Sequence, residues 1–315
     1  MIMDSNSKIL VTGPRGLVGS AIIRKLSKDG YSNILTPSHA DLELLDQKAV
    51  CDYFKNEKPE YVFLAAAKVG GILANNTYPA EFIYKNLMIQ NNIIHQSYVH
   101  KVKKIIFLGS SCIYPKLCSQ PMKEDYLMTG SLESTNSSYA VAKIAGIEMC
   151  WAYNRQYGTK FLPVMPTNLY GINDNFDLDT SHVLPALIRK FHEAKQGNRD
   201  SVTIWGSGNP KREFLHVDDL ADACIFLINK NLDKHFYKDK PLLNIGTGKD
   251  LNILELAQLI KKITKFNGKI IFDRSKPDGT PRKLLDVSKM NTLGWNADIT
   301  LEDGLESVYQ WYRKE

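Results

Sequence analysis

The sequence predicts an α/β protein built on a doubly wound parallel sheet, with a second, smaller α/β lobe for substrate. Three observations predict it. Short β-branched runs alternate with helical patterns up to about Tyr170, an order that gives parallel strands with helices on both faces. A strand, a glycine turn and a helix follow one another between Lys8 and Lys28, the context a dinucleotide site requires. After about Tyr170 the rhythm changes to Gly- and Asp-punctuated loops between shorter elements.

Lys8-Ile9-Leu10-Val11-Thr12 reads as the first strand, and the amphipathic stretch 20–28 as the first helix. Between them stands Gly13-Pro14-Arg15-Gly16-Leu17-Val18-Gly19, spaced Gly-x-x-Gly-x-x-Gly. Glycines let the backbone approach a pyrophosphate, and the helix N-terminus offers it N–H groups. Further strands are predicted at Asn33-Ile34-Leu35-Thr36, Tyr61-Val62-Phe63-Leu64-Ala65, Lys104-Ile105-Ile106-Phe107-Leu108 and Lys160-Phe161-Leu162-Pro163-Val164-Met165. Helices are predicted at 47–55, 80–99 and 139–157. Beyond a loop at 171–180 come the segment 181–190, the run Val202-Thr203-Ile204-Trp205-Gly206-Ser207-Gly208, a strand and turn at 242–248 and a helix at 254–264. The resulting division is a dinucleotide-binding domain at 1–170, to which segments near 213–250 return, and a substrate-binding domain at 171–315, mainly 171–212 and 251–315.

A chain of 315 residues has ample apolar content for a large core. Its net charge of +6 is mild and its Lys and Arg residues are scattered, which argues against nucleic acid as a partner and suits a phosphorylated substrate. The first residues lack an apolar signal core, and no run approaches the ~18 apolar residues of a membrane span, so the expectation is a soluble cytoplasmic protein with no membrane partner. Five cysteines without paired short spacings predict reduced thiols and no metal site.

The stretches Gly109-Ser110-Ser111-Cys112-Ile113-Tyr114-Pro115 and Ser138-Tyr139-Ala140-Val141-Ala142-Lys143 carry the chemistry. A hydroxyl ends an apolar strand, and Tyr139 and Lys143, at i and i+4, share one helix face. A phenol titrates near ~10, and a nearby cation favours its ionised form, so Tyr139 is expected to be a general acid tuned by Lys143. Cys112 is the one thiol in suggestive company, and Cys118, Cys150 and Cys224 read as structural.

Together these residues resemble the extended short-chain dehydrogenase/reductase family, whose core is a Rossmann sheet. The resemblance runs almost end to end through Ala65-Ala66-Ala67-Lys68-Val69-Gly70-Gly71-Ile72, Asn75-Asn76-Thr77-Tyr78-Pro79, Pro166-Thr167-Asn168-Leu169-Tyr170-Gly171, Trp205-Gly206-Ser207-Gly208, Arg212-Glu213-Phe214-Leu215-His216-Val217-Asp218-Asp219 and Ser275-Lys276-Pro277-Asp278-Gly279-Thr280-Pro281-Arg282-Lys283. It implies a nucleotide-sugar epimerase-reductase: GDP-4-keto-6-deoxy-D-mannose is inverted at C3 and C5, then reduced at C4 by NADPH. One set of donors at the C4 oxygen then serves both the enolates and the hydride transfer. By the resemblance Ser110, Cys112, Tyr139, Lys143 and His182 are catalytic, with Cys112 the base and His182 the acid of epimerisation. NADP(H) falls to Gly13, Pro14, Arg15, Gly16, Leu17, Val18, Gly19, His39, Leu108, Gly109, Ser110, Ser111, Tyr139, Lys143, Pro166, Asn168, Leu169 and His182. Substrate falls to Lys190, Trp205, Arg212 and Asp278. A homodimer is implied, in keeping with apolar content at 80–99 and 139–157 beyond what one sheet-facing stripe uses.

Two positions depart from the family pattern. His39 stands where an Arg often meets the 2′-phosphate of NADPH, although no carboxylate directly ends that strand and Arg15 can face the phosphate. Lys190 replaces an expected Arg, keeping charge without bidentate geometry. The alternatives are a related GDP-keto-deoxy sugar inverted only at C5, a hydride-recycling 4-epimerase or 4,6-dehydratase, and a non-catalytic dinucleotide sensor. A dehydratase wants carboxylates where Ser134-Thr135-Asn136 stand, and a sensor predicts a damaged Ser110, Tyr139 and Lys143 set.

Overall fold

A computed structural model describes residues 3–178, 180–276 and 278–314, so Pro277 of the motif above lies outside the described residues. The chain runs β1 (Ile9–Thr12), α1 (Leu17–Lys28), β2 (Ile34–Leu35), α2 (Gln47–Glu57), β3 (Tyr61–Leu64), α3 (Ile72–Thr77), α4 (Pro79–Val99), β4 (Lys104–Leu108), α5 (Ser137–Tyr157), β5 (Phe161–Pro166) and β6 (Asn168–Tyr170). It continues through α6 (Val183–Gln196), β7 (Ser201–Trp205), β8 (Lys211–His216), α7 (Val217–Asn229), α8 (Lys234–Lys238), β9 (Leu243–Ile245), β10 (Asp250–Asn252), α9 (Ile253–Thr264), β11 (Lys269–Asp273), β12 (Arg282–Lys283), α10 (Ser288–Leu293) and α11 (Leu301–Tyr312).

Six parallel strands form the main sheet in the order β2-β1-β3-β4-β5-β9. Strands β1, β3, β4 and β5 are buried along their whole length, which is why they read as unbroken apolar runs rather than alternating ones. The strand order reverses between β1 and β3, and the crevice at their carboxyl ends is where such sheets bind ligands. One face packs Ile22 and Leu26 of α1 with Leu220 and Leu227 of α7. The other packs Phe54, Ile93, Ile147 and Trp151 from α2, α4 and α5.

The smaller lobe has its own core of Leu187, Phe191, Ile204, Leu256, Ile260 and Val308. Strand β8 links the two halves: it pairs parallel with β6 and β12 and antiparallel with β10, while β7 and β11 form a separate parallel pair. Among the described residues no helix is long and apolar enough to cross a membrane.

Two expectations need correction. Helix α1 begins at Leu17 rather than at 20, because Gly16 already takes the extended cap conformation. Residues 284–297, assigned above to the substrate lobe, pack instead on the main sheet: Met290 and Trp295 join one core and Leu285 the other. The open edge beside β9 supplies the apolar surface they cover, and α10 lies against that strand.

Candidate active site

The glycine turn is built for close approach. Gly13 has φ +70°, and a Cβ there would stand 3.1 Å from Ala66 Cα; a Cβ on Gly19 would lie 2.1 Å from Gly13 O. Side chains at either position would push the turn away from the helix and from the neighbouring strand. No side chain caps the α1 N-terminus and no acidic residue occupies its first turn, so its N–H groups and partial positive charge are left for an anion. Arg15 is exposed beside this turn, close enough to Asp41 to help hold that carboxyl below its ordinary range, although Ser38 does most of this. Asp41 accepts from Ser38 N at 2.9 Å and Ser38 Oγ at 2.7 Å, so its carboxylate is engaged within its own loop. His39 is 89% exposed there, with Nδ1 3.5 Å from Glu43 Oε2. These features fit a dinucleotide carrying an extra phosphate.

Beyond the crevice, β4 delivers Leu108, Gly109 and Ser110, and a short 3₁₀ turn, Ser111–Ile113, follows. The Ser110 hydroxyl engages both Tyr139 and Cys112, favouring the ionised form of each. Tyr139 lies edge-on to Phe82, with ring centroids 6.2 Å apart. Burial is the largest influence on the Tyr139 phenol. Lys143 is 3% exposed and its Nζ donates to Leu108 O at 2.8 Å, while standing 5.8 Å from the centre of the Tyr139 ring. Burial lowers Lys143 to about 8. Burial also pushes Tyr139 well above the ordinary phenol range, the Cys112 charge adds to this, and only the Ser110 hydroxyl opposes it. Tyr139 is therefore held as a neutral proton donor.

Cys112 is buried at 8% exposure. Burial pushes its thiol up, against the Ser110 hydroxyl and the cations Lys283 and Lys143. His182, at the N-cap of α6, opens to the cleft, yet the surrounding protein lowers its pKa and Lys283 lowers it further. At rest the proton is thus favoured on sulfur and disfavoured on imidazole, the reverse of the resting charges that a Cys112 base and a His182 acid require. At Cys112 the cations Lys283 and Lys143 do not overturn burial. The loop before His182 is tied to the one after β3 by Gly71 N, which donates to Thr180 O at 3.0 Å.

Lys283 is the residue that sequence reasoning missed. It stood in a quoted motif without a role, and only pairing of β12 with β8 brings it level with Arg212. Its ammonium acts on both Cys112 and His182, so it links two groups that are far apart in sequence. Burial lowers Lys283 first, and the Arg212 guanidinium lowers it further.

The predicted substrate residues gather in the smaller lobe. Trp205 is 56% exposed at the end of β7, with Lys190 Nζ 5.2 Å and Lys276 Nζ 5.5 Å from its ring centre. Asp278 accepts from Ser207 N at 2.6 Å and from Ser207 Oγ at 2.8 Å, closing a turn beside an open cavity of about 290 Å³. Arg212 donates to Lys211 O at 2.8 Å, and burial lowers its pKa. Of the remaining cofactor residues, Pro166 ends β5 and Leu169 lies in β6, while Asn168 spends its Nδ2 on Glu213 O at 2.8 Å. Among the described residues no His, Cys, Asp and Glu cluster could hold a metal ion.

The profile of the NAD dependent epimerase/dehydratase family matches residues 9–246. The chain is 56% identical to GDP-L-fucose synthase 1 of Arabidopsis thaliana over 311 residues, covering 99% of this chain and 94% of that one. It is 54% identical to the GDP-L-fucose synthase of Escherichia coli (strain K12), covering 98% and 97%. Among solved structures it resembles a GDP-mannoheptose C4 reductase from Campylobacter jejuni with NADP bound, at a TM-score of 0.92 and 44% identity, covering 99% of each chain.

Proposed function

The chain belongs to the NAD dependent epimerase/dehydratase family, and from that premise we propose that it converts GDP-4-keto-6-deoxy-D-mannose to GDP-L-fucose: inversion at C3 and C5, then reduction of C4 with NADPH. The observation that carries this reading is the pairing of a reductase set, Ser110, Tyr139 and Lys143, with a second proton-transfer pair, Cys112 and His182, reached by one ammonium, Lys283. A simple ketoreductase has no use for the second pair.

Ser110 and Tyr139 donate to the C4 oxygen of the sugar, stabilising the enolate that forms when a proton leaves C3 or C5. Cys112 takes that proton from one face and His182 returns one from the other. Inversion needs the Cys112 thiolate, which burial opposes and the Ser110 hydroxyl, Lys283 and Lys143 favour. The glycine turn, Arg15, His39 and Lys143 would hold NADPH, which when bound would supply the hydride for C4. Tyr139, kept neutral by burial, then protonates the alkoxide oxygen. At pH 7 most Lys143 is ammonium, given a pKa of about 8, which suits a hold on the ribose. In the smaller lobe Trp205 offers the base a flat face, and Arg212 with Lys283 offers the diphosphate two cations.

A second copy of the chain is the proposed partner, docked on the outer face of α4 and α5, where Tyr84, Val99, Val141 and Tyr157 are exposed. A reducing cytoplasm suits a mechanism that needs the Cys112 thiol free.

The test is NADPH consumption with GDP-4-keto-6-deoxy-D-mannose in deuterated water, with the product ring read by NMR. Deuterium at C3 and C5 and an L-galacto ring are expected. Reduction without inversion would reduce the protein to a 4-ketoreductase, and deuterium at C5 alone would select the related sugar.

A further inference from the structure

Glu213 has no exposed surface, and among the described residues no cation is hydrogen-bonded or ion-paired to its carboxylate. The carboxylate is instead held by main chain. Oε1 accepts from Thr247 N at 2.6 Å and Gly248 N at 2.8 Å, and Oε2 accepts from Leu285 N at 2.9 Å. Those N–H groups come from two separate segments: the turn that leaves the main sheet after β9, and the strand end that follows β12. On its own backbone, Glu213 O accepts from Thr167 Oγ1 at 3.3 Å and Asn168 Nδ2 at 2.8 Å, which ties in the junction of β5 and β6. Gly246 leaves the room this requires, since a Cβ there would lie 2.2 Å from Glu213 Oε1.

The neighbours of this carboxylate give it a purpose. Successive residues of a strand face opposite sides, so Glu213 points into the junction while Arg212 faces the cleft. Lys283 is the in-register partner of Arg212, and paired residues share a face. Two adjacent cations repel, and the Arg212 charge is among the causes that lower Lys283. Two residues beyond Lys283, Leu285 donates to Glu213.

We infer that Glu213 is a positioning residue for the substrate diphosphate: its carboxylate, by holding Leu285 N and the 247–248 turn, keeps Arg212 and Lys283 side by side against their repulsion. The inference rests on the nucleotide-sugar reading above, because it supplies the reason two cations are held together. A residue serving only fold stability would affect both halves of the molecule, whereas this role separates them.

The experiment measures GDP and NADPH binding by calorimetry on the full-length protein, for wild type, Glu213→Gln and Glu213→Asp. Glutamine keeps one acceptor but turns an NH2 group toward main-chain N–H donors, and aspartate keeps the charge with a shorter reach. Expected is a loss of GDP affinity of about tenfold or more in Glu213→Gln, with NADPH affinity within about twofold of wild type. Aspartate should fall between. In turnover, KM for the GDP-sugar should rise more than kcat falls. In a Lys283→Met background the further effect of Glu213→Gln should shrink, since the pair it aligns is gone. Unchanged GDP binding, or equal losses for GDP and NADPH in both variants, overturns the inference. Wild-type protein that binds NADPH but not GDP overturns the nucleotide-sugar reading itself, and the inference with it.

Discussion

Tyr139 and Lys143 stand one turn apart on α5, and the ammonium donates to the Leu108 carbonyl while standing 5.8 Å from the centre of the Tyr139 ring. The consequence is a division of labour in which Tyr139 stays a neutral acid and Lys143 a cation only below about pH 8. Tyr139→Phe should lower the rate of reduction by roughly 10²–10⁴-fold, the usual scale of general acid catalysis, with GDP affinity unchanged. Wild-type turnover in that variant would move the acid role elsewhere. The sign of the lysine effect is fixed by its lowered pKa: the Lys143 charge is present below about 8 and lost above it. NADPH affinity titrated from pH 6 to 10 should therefore weaken as pH rises through about 8; a flat profile would mean that Lys143 does not bear on the cofactor. Residue identities were legible in the sequence because Ser110, Tyr139 and Lys143 sit at local spacings that survive folding. Their pKa directions were not, since burial outweighs each nearby charge and burial is absent from a sequence.

At the scale of elements, Lys104 shows how a polar side chain can close a helix from a distance. It begins β4 at 5% exposure, and its Nζ donates to Ile228 O at 2.7 Å and Lys230 O at 2.8 Å, taking carbonyls left over at the end of α7. Burial lowers it to about 8. Between about 8 and the ordinary lysine value Lys104 binds more protons in the unfolded chain, so its own contribution to folding stability rises with pH through that window. Lys104→Met should flatten that rise in denaturant unfolding measured from pH 7.5 to 10.5, and an unchanged slope would remove Lys104 as its source. The same helix explains a gap in the sequence reading. Its buried Val217, Leu220, Ala221, Cys224, Leu227 and Ile228 recur at i, i+3, i+4, i+7, i+10 and i+11, the stripe of an amphipathic helix, in a stretch read from the sequence only as a segment returning to the first domain. Strands β10 and β12, at three and two residues, are too short to show any period.

For the whole molecule, the outer face of α4 and α5 carries exposed apolar side chains. Tyr98 and Tyr157 stack across the two helices at 4.1 Å, and Tyr84, Val99, Val141 and Tyr157 remain exposed. Tyr84→Arg combined with Tyr157→Asp should halve the mass seen by light scattering if two copies meet there, while an unchanged mass would place the interface elsewhere or nowhere. At this scale the sequence by itself determined the parallel sheet, the glycine turn and the placing of the Ser110 hydroxyl, the Tyr139 phenol and the Lys143 ammonium, because each is written in spacings of a few residues. Only the tertiary structure decided that Glu213 binds two distant turns, that residues 284–297 return to the main sheet, and that Lys283 faces Arg212 and acts on both Cys112 and His182. Those relations depend on strand pairing and burial between segments far apart in the chain, and neither leaves a local period to read.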